Sequence, residues 1–277
     1  MTRSSRRIQL TPGYILHHRP YRDTSRILEV LTREHGRLSL FAHGVRGPKA
    51  KLASILQPFQ MVLFSWNGRG EAAQLTGAES AQAAPSLPAA CLMSAFYLNE
   101  LLMKLTTRHD PLPVVFDTYH QTLQSLRQGE SLEPRLRIFE KRLLEALGYG
   151  LDLNVEALTG RRIEPDAYYH FRPEQGLLAI ERPATTERLA RESPVGRESP
   201  AGTTVADAAG ALAGTSLIGL ADEHLEGARE LEDAKRLLQA ALAQCLEGRP
   251  LATRMVARAV ARREAESDIS IRSQSRT

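Results

Sequence analysis

The strongest constraint in this sequence is a change of hydrophobic period near residue 85. Before it, short apolar runs alternate with turn signals, and in residues 36–43 the side chains of Leu38, Leu40 and Ala42 share one face of an extended strand. Five strands are predicted over residues 8–18, 25–33, 36–43, 60–66 and 71–78. Five short strands in about 80 residues are typical of a small closed barrel, of which the OB-fold is the commonest example.

After residue 85 the apolar residues follow the period of a helix. Helices are predicted around residues 98–105, 112–126, 133–147, 231–245 and 251–263. Residues 150–183 lack this period, and the segments 168–171 and 177–180 are predicted to form a small β-hairpin. The predicted fold is therefore α+β and multi-domain, with an OB-fold β-barrel followed by an α-helical domain that contains the hairpin.

The predicted domain boundary lies at residue 80, between a barrel domain of residues 1–80 and a helical domain of residues 81–277. Residues 191–202 repeat a hexapeptide, Arg-Glu-Ser-Pro-Val-Gly and then Arg-Glu-Ser-Pro-Ala-Gly. Two copies cannot build a solenoid, so we expect a flexible insertion over residues 190–204. The tail of residues 264–277 is poor in apolar residues and is predicted to be disordered.

The charge of the chain is concentrated at its start. Residues 1–60 contain eleven Lys/Arg and three Asp/Glu, a net charge of +8, whereas the whole chain carries only +4. Nine of the eleven are arginines, whose guanidinium groups match phosphate oxygens. The pattern favours a polyanionic partner such as nucleic acid, and a solvated basic surface is the alternative.

The candidate DNA contacts are the basic residues around the predicted barrel turns. Arg19 and Arg22 flank the turn after the first strand, and a second cluster follows the third strand. The predicted set comprises Arg3, Arg6, Arg7, Arg19, Arg22, Arg37, Arg46, Lys49 and Lys51. Arg254, Arg258 and Arg262 recur every four residues and predict a second basic face on the last helix, with a solvated helix surface as the alternative.

Aromatic residues are scarce, at 5% of the chain. Phe41 and Trp66 are the candidates to stack on bases, although packing in the barrel is the favoured interpretation of both. Binding is therefore expected to depend on phosphate contacts more than on the bases.

Catalytic signatures are missing from the sequence. It contains no G-x-x-x-x-G-K-[ST], H-E-x-x-H, C-x-x-C or G-x-S-x-G motif. The two cysteines, Cys91 and Cys245, are far apart, which argues against a disulfide framework and against a cysteine zinc site and fits a reducing cytoplasm. The sequence contains no stretch of 18 apolar residues, so no membrane span is expected. We expect a cytoplasmic protein, associated with the nucleoid, that is not an enzyme and needs no cofactor or metal.

Four motifs follow one another along the first 60 residues: Gly13-Tyr-Ile-Leu-His-His-Arg-Pro-Tyr-Arg-Asp-Thr-Ser25, Leu31-Thr-Arg-Glu-His-Gly36, Ala42-His-Gly-Val-Arg46 and Leu56-Gln-Pro-Phe59. Together they resemble the N-terminal part of the DNA repair protein RecO family of recombination mediators. Tyr97-Leu-Asn-Glu-Leu-Leu102, Phe139-Glu140, Leu147-Gly-Tyr-Gly150 and Gly248-Arg-Pro-Leu-Ala-Thr-Arg254 resemble its helical domain and its ending.

The resemblance implies a protein without catalytic turnover that binds single- and double-stranded DNA and anneals complementary strands. With the partner RecR, it would help to place RecA on DNA coated by single-strand-binding protein. By position, Arg19, Arg22, Arg37, Arg46 and Lys49 become the leading DNA contacts. The chain departs from the family pattern twice: the four-cysteine zinc module is missing after Gly150, and Ala252 stands where the family has lysine.

The resemblance also implies that the helical domain docks the acidic, aromatic-ended tail of single-strand-binding protein. Arg135 and Arg137 beside Phe139 are the candidates, and surface arginines on a packed helix are the alternative. As a whole, the chain could instead be an interaction scaffold that recruits repair partners with incidental DNA contact. A nuclease would need clustered carboxylates, which the basic segment lacks.

Overall fold

The computed structural model describes residues 7–45, 52–68, 73–81, 86–181 and 210–256. Contacts divide the chain into two compact units, one formed by residues 1–132 with 249–277 and the other by residues 133–248. The first unit thus contains the first two helices and the end of the chain as well as the barrel. The boundary at residue 80, as a division into domains, stays a prediction. The hexapeptide repeat and the tail of residues 264–277 lie outside the described residues.

Five strands form a closed barrel in the order β1-β2-β3-β5-β4. They are β1 (Arg7–Tyr21), β2 (Ser25–Thr32), β3 (Gly36–Ala42), β4 (Met61–Asn67) and β5 (Ala73–Ser80). Strand β3 runs parallel to β5, while the other neighbours pair antiparallel. This confirms the predicted OB-type barrel. Closure leaves the described strands without a long free edge.

The barrel core is built by alternate residues of each strand. Leu28 and Val30 of β2 meet Leu38 and Leu40 of β3 in one buried cluster, which also contains Trp66. The alternation predicted for residues 36–43 is therefore confirmed, and so is the packing interpretation of Trp66, which is 4% exposed and cannot stack on a base.

Strand β1 is longer than its sequence suggested. The predicted end of the first strand at residue 18 is wrong, because β1 continues to Tyr21, with Pro20 opposite Arg26 of β2. The pairing of β1 with β4 ends at Tyr14, so Pro20 lies beyond that second ladder. A proline without a backbone N–H is tolerated at such a position because no partner on that side needs the donor.

Two helices complete the described part of the first unit after a short 3-10 turn, Ala89–Cys91. They are α1 (Leu92–Leu105) and α2 (Pro113–Arg127). Asn99 of α1 donates to the Leu16 carbonyl of β1 at 2.8 Å and accepts from the Tyr119 hydroxyl of α2 at 2.5 Å. Tyr14 packs edge-on against Tyr119, and burial raises the pKa of Tyr14 to about 12. These contacts cover one part of the outer surface of the barrel.

The second unit combines three helices with a small sheet. Its elements are α3 (Leu132–Ala146), β6 (Tyr168–Arg172), β7 (Gly176–Ile180), β8 (Leu212–Ala213), α4 (Gly214–Ala221) and α5 (Ala228–Cys245). The sheet order is β7-β6-β8, which confirms the predicted hairpin and adds a third strand. The Asp233 carboxylate of α5 accepts from the Ala213 amide at 3.1 Å and from the Ser216 hydroxyl at 2.7 Å, and so fixes β8 and α4.

The chain ends its described course with helical residues 252–256. Across the described residues, every helix is too short or too polar to cross a membrane.

Candidate nucleic-acid interface

One end of the outer face of β1, β2 and β3 gathers basic and aromatic side chains. The cross-strand register places Arg19 of β1 opposite Ile27 of β2, and Ile27 opposite Phe41 of β3. Directly opposed residues on neighbouring strands share one face of a sheet. Because Leu28 and Leu40 point into the core, Arg19, Ile27 and Phe41 face outward.

Three rings meet at this end. The centroids of Tyr21 and Phe41 lie 5.1 Å apart in an edge-on arrangement, and the His43 ring lies 6.5 Å from Phe41 and nearly parallel to it. His43 is held by a hydrogen bond between its Nδ1 and the Ser25 hydroxyl at 3.1 Å. The guanidinium of Arg22 stands 5.3 Å from the centre of the Tyr21 ring, at cation–π distance. We call Arg19, Tyr21, Arg22, Phe41 and His43 the rim patch.

The turn between β1 and β2 presents the cations of the rim patch. It contains only residues 22–24, and Arg22 adopts a left-handed backbone conformation with φ of 53°. Arg19 and Arg22 are both exposed. Sequence reasoning found these two arginines and considered Phe41. It did not propose Tyr21 or His43 as contacts. Tyr21 lies two residues after Arg19, and His43 lies two residues after Phe41, and residues two apart on a strand share a face.

Arg37 differs from its predicted role as a DNA contact. Its side chain is only 11% exposed and forms an ion pair with Glu29 at 3.0 Å. Two further donations go to the hydroxyl of Thr106 at 3.2 Å and to its carbonyl at 2.8 Å. Burial lowers the pKa of Arg37, and the Glu29 charge opposes that shift. The guanidinium is engaged inside the unit and is not displayed to a ligand.

Glu29 is the centre of this buried cluster. Besides Arg37, it accepts hydrogen bonds from Ser39 at 2.6 Å and from Arg108. Burial alone would raise the pKa of Glu29, but the hydrogen bonds and the two arginine charges outweigh it and lower the pKa. The outer face therefore has a covered half around Glu29 and an open end at the rim patch.

The other N-terminal cations are distributed over several places. Arg33 forms a bidentate pair with Asp117 of α2, and Arg26 is half-buried. Arg7 is exposed, but it lies at the start of the 15-residue strand β1, whereas Arg19 lies near the end of that strand. The described cations of residues 1–60 thus do not form one continuous track. Arg3, Arg6, Arg46, Lys49 and Lys51 lie outside the described residues.

The second predicted basic face is described only at Arg254. Its guanidinium lies 5.3 Å from the centre of the Tyr97 ring and donates to the Tyr97 hydroxyl at 3.0 Å. This contact ties residue 254 to α1 rather than leaving it to an anionic partner. Arg258 and Arg262 lie outside the described residues.

The predicted docking residues on α3 do not form a surface. Phe139 is fully buried, and Arg137 is buried in an ion pair with Glu140 at 3.1 Å. Arg137 and Phe139 therefore fit the alternative, that they belong to a packed helix. Of the three predicted docking residues, only Arg135 is partly exposed. An apolar groove of about 540 Å³ lies instead in the first unit, lined by Met93, Phe96 and Met103 of α1 together with Val256.

The segment after Gly150 does not fit a zinc ion. Its buried carboxylate, Glu156, accepts hydrogen bonds from the Leu158 amide at 3.1 Å and the Thr159 amide at 2.7 Å. A hydrogen bond from the Thr159 hydroxyl lowers the pKa of Glu156 most strongly, and the two amides lower it further. The described residues contain no group of three or more His, Cys, Asp or Glu side chains suited to a metal. Hydrogen bonds to Glu156 organise this loop.

The barrel topology and the rim patch define an OB-fold protein with a cationic and aromatic surface, a class that includes many nucleic-acid-binding modules. The family model "Recombination protein O N terminal" matches residues 7–84, and "Recombination protein O C terminal" matches residues 90–255. The chain belongs to the RecO family of DNA repair proteins.

Relatives of the chain carry the name DNA repair protein RecO. Those from Methylococcus capsulatus and Nitrosococcus oceani are each 42% identical over 248 residues, which cover 90% of this chain and 92% of the relative. That from Xanthomonas campestris pv. campestris is 36% identical over 91% of this chain and 97% of its own length. A role in DNA repair and recombination follows from this membership.

Proposed function

We propose that this protein is a non-enzymatic recombination mediator that binds single- and double-stranded DNA and anneals complementary strands. We further propose that it acts with RecR to help load a RecA recombinase onto DNA coated by single-strand-binding protein. The rim patch is the observation that carries the proposal, because it combines two exposed arginines with aromatic rings on the open end of an OB-type barrel.

Annealing follows from phosphate neutralisation. Arg19 and Arg22 offer guanidinium groups that pair with phosphate oxygens without reading sequence. The proposed contact set also includes Arg46, Lys49 and Lys51. They come shortly after Val45, the last described residue after β3. Two strands bound through their phosphates repel each other less, and their bases remain available for pairing.

The apolar groove of the first unit is the proposed dock for the tail of single-strand-binding protein. Phe96 and Met93 are partly exposed in it and offer an apolar site for an aromatic end. Lys104, on the same helix, supplies a cation of the kind that an acidic tail requires. This location replaces the buried pair Arg137 and Phe139.

The test is a double substitution, Arg19→Ala with Arg22→Ala, in the full chain. Each lost phosphate contact should reduce the slope of log affinity against log salt concentration, and the double variant should lower it by about 1–2 units on all DNA sequences alike. Fluorescence anisotropy with labelled oligonucleotides at several salt concentrations measures both quantities. Annealing of complementary oligonucleotides should slow in parallel.

The matched control is Arg161→Ala with Arg162→Ala, which removes the same charge from exposed positions of the second unit. We expect the control to keep the wild-type slope. Equal losses in the two variants would mean that net charge alone drives binding. An unchanged slope in the first variant, with partner binding intact, would favour the scaffold alternative.

A further inference from the structure

The open end of the outer face exposes aromatic surface that packing does not explain. Phe64 and Trp66 lie in the barrel core, whereas Tyr21 and Phe41 face outward and are partly exposed. On the covered half of the same face, Leu31 and Glu29 are buried. Aromatic rings left in water at a sheet end cost hydration free energy, and such rings are a usual mark of a binding surface.

The neighbours of Phe41 leave it a defined position. Ile27 lies beside it on β2 and is 7% exposed, so the base of the ring rests on buried apolar surface. Tyr21 meets the ring edge-on, and the His43 ring lies nearly parallel to it. The Ser25–His43 hydrogen bond and the Arg22–Tyr21 contact hold the two flanking rings in place. Phe41 is therefore a preorganised platform rather than a loose side chain.

Both cations lie on the β1 side of this platform. Arg19 lies across Ile27 from Phe41, two strands away, and Arg22 lies above Tyr21. Neighbouring strands are about 4.8 Å apart, so Arg19 is roughly 10 Å from Phe41 in strand spacing. That is a separation which one nucleotide with its flanking phosphates can bridge. A stacking ring beside cations that hold the backbone is the arrangement by which sequence-tolerant sites bind a single strand.

We propose that Phe41 stacks on one unpaired base of single-stranded DNA, with Tyr21 and His43 bordering the base and with Arg19 and Arg22 holding the adjacent phosphates on the β1 side. This inference rests on the proposed function and adds the strand type that the rim patch selects. A base in a duplex is covered by its neighbours on both faces and cannot reach the ring. Pairing therefore removes the strand from Phe41, and the annealed product is released from this contact.

The experiment compares Phe41→Leu with wild type in the full chain. Leucine keeps an apolar side chain beside Ile27 but removes the aromatic face. Affinity for a labelled oligothymidylate should fall about tenfold, since one base–aromatic stack is lost, while affinity for a duplex of equal length stays the same. An oligonucleotide carrying one 2-aminopurine should show quenching with wild type and reduced quenching with the variant.

Two controls make the result specific. Tyr149→Leu removes another exposed aromatic ring, in the second unit, and should leave both DNA affinities unchanged. Phe41→Tyr keeps the aromatic face and should retain the affinity of wild type for the single strand. If Phe41→Leu lowers the melting temperature, this tyrosine variant still decides whether the ring or the fold matters.

The outcomes separate this inference from the proposed function. Selective loss of single-strand affinity in Phe41→Leu supports the stacking site. Unchanged single-strand affinity, or equal loss for single strand and duplex, overturns it. The phosphate-binding proposal is judged by Arg19→Ala with Arg22→Ala, which should weaken single strand and duplex alike. If the double arginine variant weakens binding and Phe41→Leu does not, only the stacking site is rejected. If Phe41→Leu weakens single-strand binding and the double arginine variant changes neither affinity, only the phosphate contacts are rejected.

Discussion

Three arginines of the barrel show how the surroundings of a guanidinium decide what it can do. Arg37 is buried against Glu29, Arg33 pairs with Asp117 at a solvent-exposed position, and Arg19 stands exposed on the rim patch. All three read alike in the sequence, as basic residues in a basic segment. Only Arg19 keeps the role that this charge suggested, and that role stays a proposal.

Glu29→Gln should destabilise the protein. The change removes the negative charge that Arg37 and Arg108 share and leaves a buried guanidinium without a counter-ion. Breaking a buried pair on one side costs about 3 kcal/mol of unfolding free energy. Urea denaturation followed by circular dichroism measures the difference. Asp117→Asn, which breaks the exposed pair with Arg33, is the matched control and should leave the urea midpoint unchanged.

The same pair predicts a dependence on pH. The folded-state pKa of Glu29 is lowered from its usual 4.5, so its stabilising contribution is present at neutral pH. It is lost as the pH falls below 4.5 and through the folded-state pKa. Glu29→Gln should therefore lose less stability than wild type between neutral pH and that acid range. Equal losses of unfolding free energy in wild type and Glu29→Gln would contradict a stabilising role of the Glu29 charge.

Single glycines fix how elements of the first unit meet. Gly36 opens β3 with φ of +64°, and a Cβ there would lie 2.2 Å from the Asp110 carbonyl oxygen. Next to it, the His109 amide donates to the Arg37 carbonyl at 2.8 Å, so the loop after α1 lies directly on the strand. Close approach and left-handed backbone both require glycine at this position.

Gly36→Ala should cost about 3 kcal/mol of unfolding free energy, from the left-handed conformation and from displacement of the loop backbone. Gly129→Ala isolates the first contribution, because Gly129 also has a positive φ, +78°, but nothing lies within 4 Å of an added Cβ. It should cost only about 1 kcal/mol. Thermal and urea unfolding of both variants test the difference, and equal costs would show that the loop yields freely.

The elements were predictable where the hydrophobic period was strong. The strands of the barrel and the hairpin β6–β7 follow from alternation, and α2, α3 and α5 follow from the helical period. In contrast, β8 and α4 depend on Asp233, which lies about 20 residues further along the chain. A strand of two residues has no period to detect, so only the tertiary hydrogen bond identifies it.

The rim patch was predictable in its charges but not in its composition. Arg19 and Arg22 followed from charge and a turn signal, whereas the pairing of Tyr21 with Phe41 depends on the register across three strands. Residue type also does not show which side chains are buried. Arg37 and Phe139 were predicted as surface contacts, but the structure buries both. Sequence supplies the residue types of a site, and pairing register decides which of them meet.

At the scale of the whole molecule, the chain returns to its first unit after building the second. The amides of Ala252 and Thr253 donate to the Glu100 carboxylate at 2.8 and 2.9 Å, and the Thr253 hydroxyl donates to it at 2.7 Å. Lys104 of α1 adds a hydrogen bond to the Pro250 carbonyl at 2.9 Å. Residues 249–256 are thereby anchored on α1.

Glu100→Gln should loosen this anchor and lower the unfolding free energy by about 1.5 kcal/mol, because charged acceptors form the stronger hydrogen bonds. Burial tends to raise the pKa of Glu100, but the donors of Thr253 and Ala252 and the Lys104 charge lower it. The contribution is therefore present above pH 4.5 and is lost on acidification through the folded-state pKa.

Hydrogen exchange of the residue 252 and 253 amides measures the anchor directly, and both should exchange faster in Glu100→Gln at neutral pH. Glu145→Gln, which removes a half-exposed carboxylate paired with Lys141, is the matched control. Protection that stays equal to wild type in Glu100→Gln would contradict the anchor.

The anchoring of residues 252 and 253 on Glu100 also dictates an order of events at the ribosome. Because the two ends of this contact are separated by about 150 residues, α1 leaves the ribosome roughly 10–30 s before its partner is synthesised. During that time the Glu100 carboxylate on the nascent helix lacks the amide and hydroxyl donors that the last segment brings. We therefore expect α1 to gain its last stabilising contacts only after residues 250–253 have been synthesised.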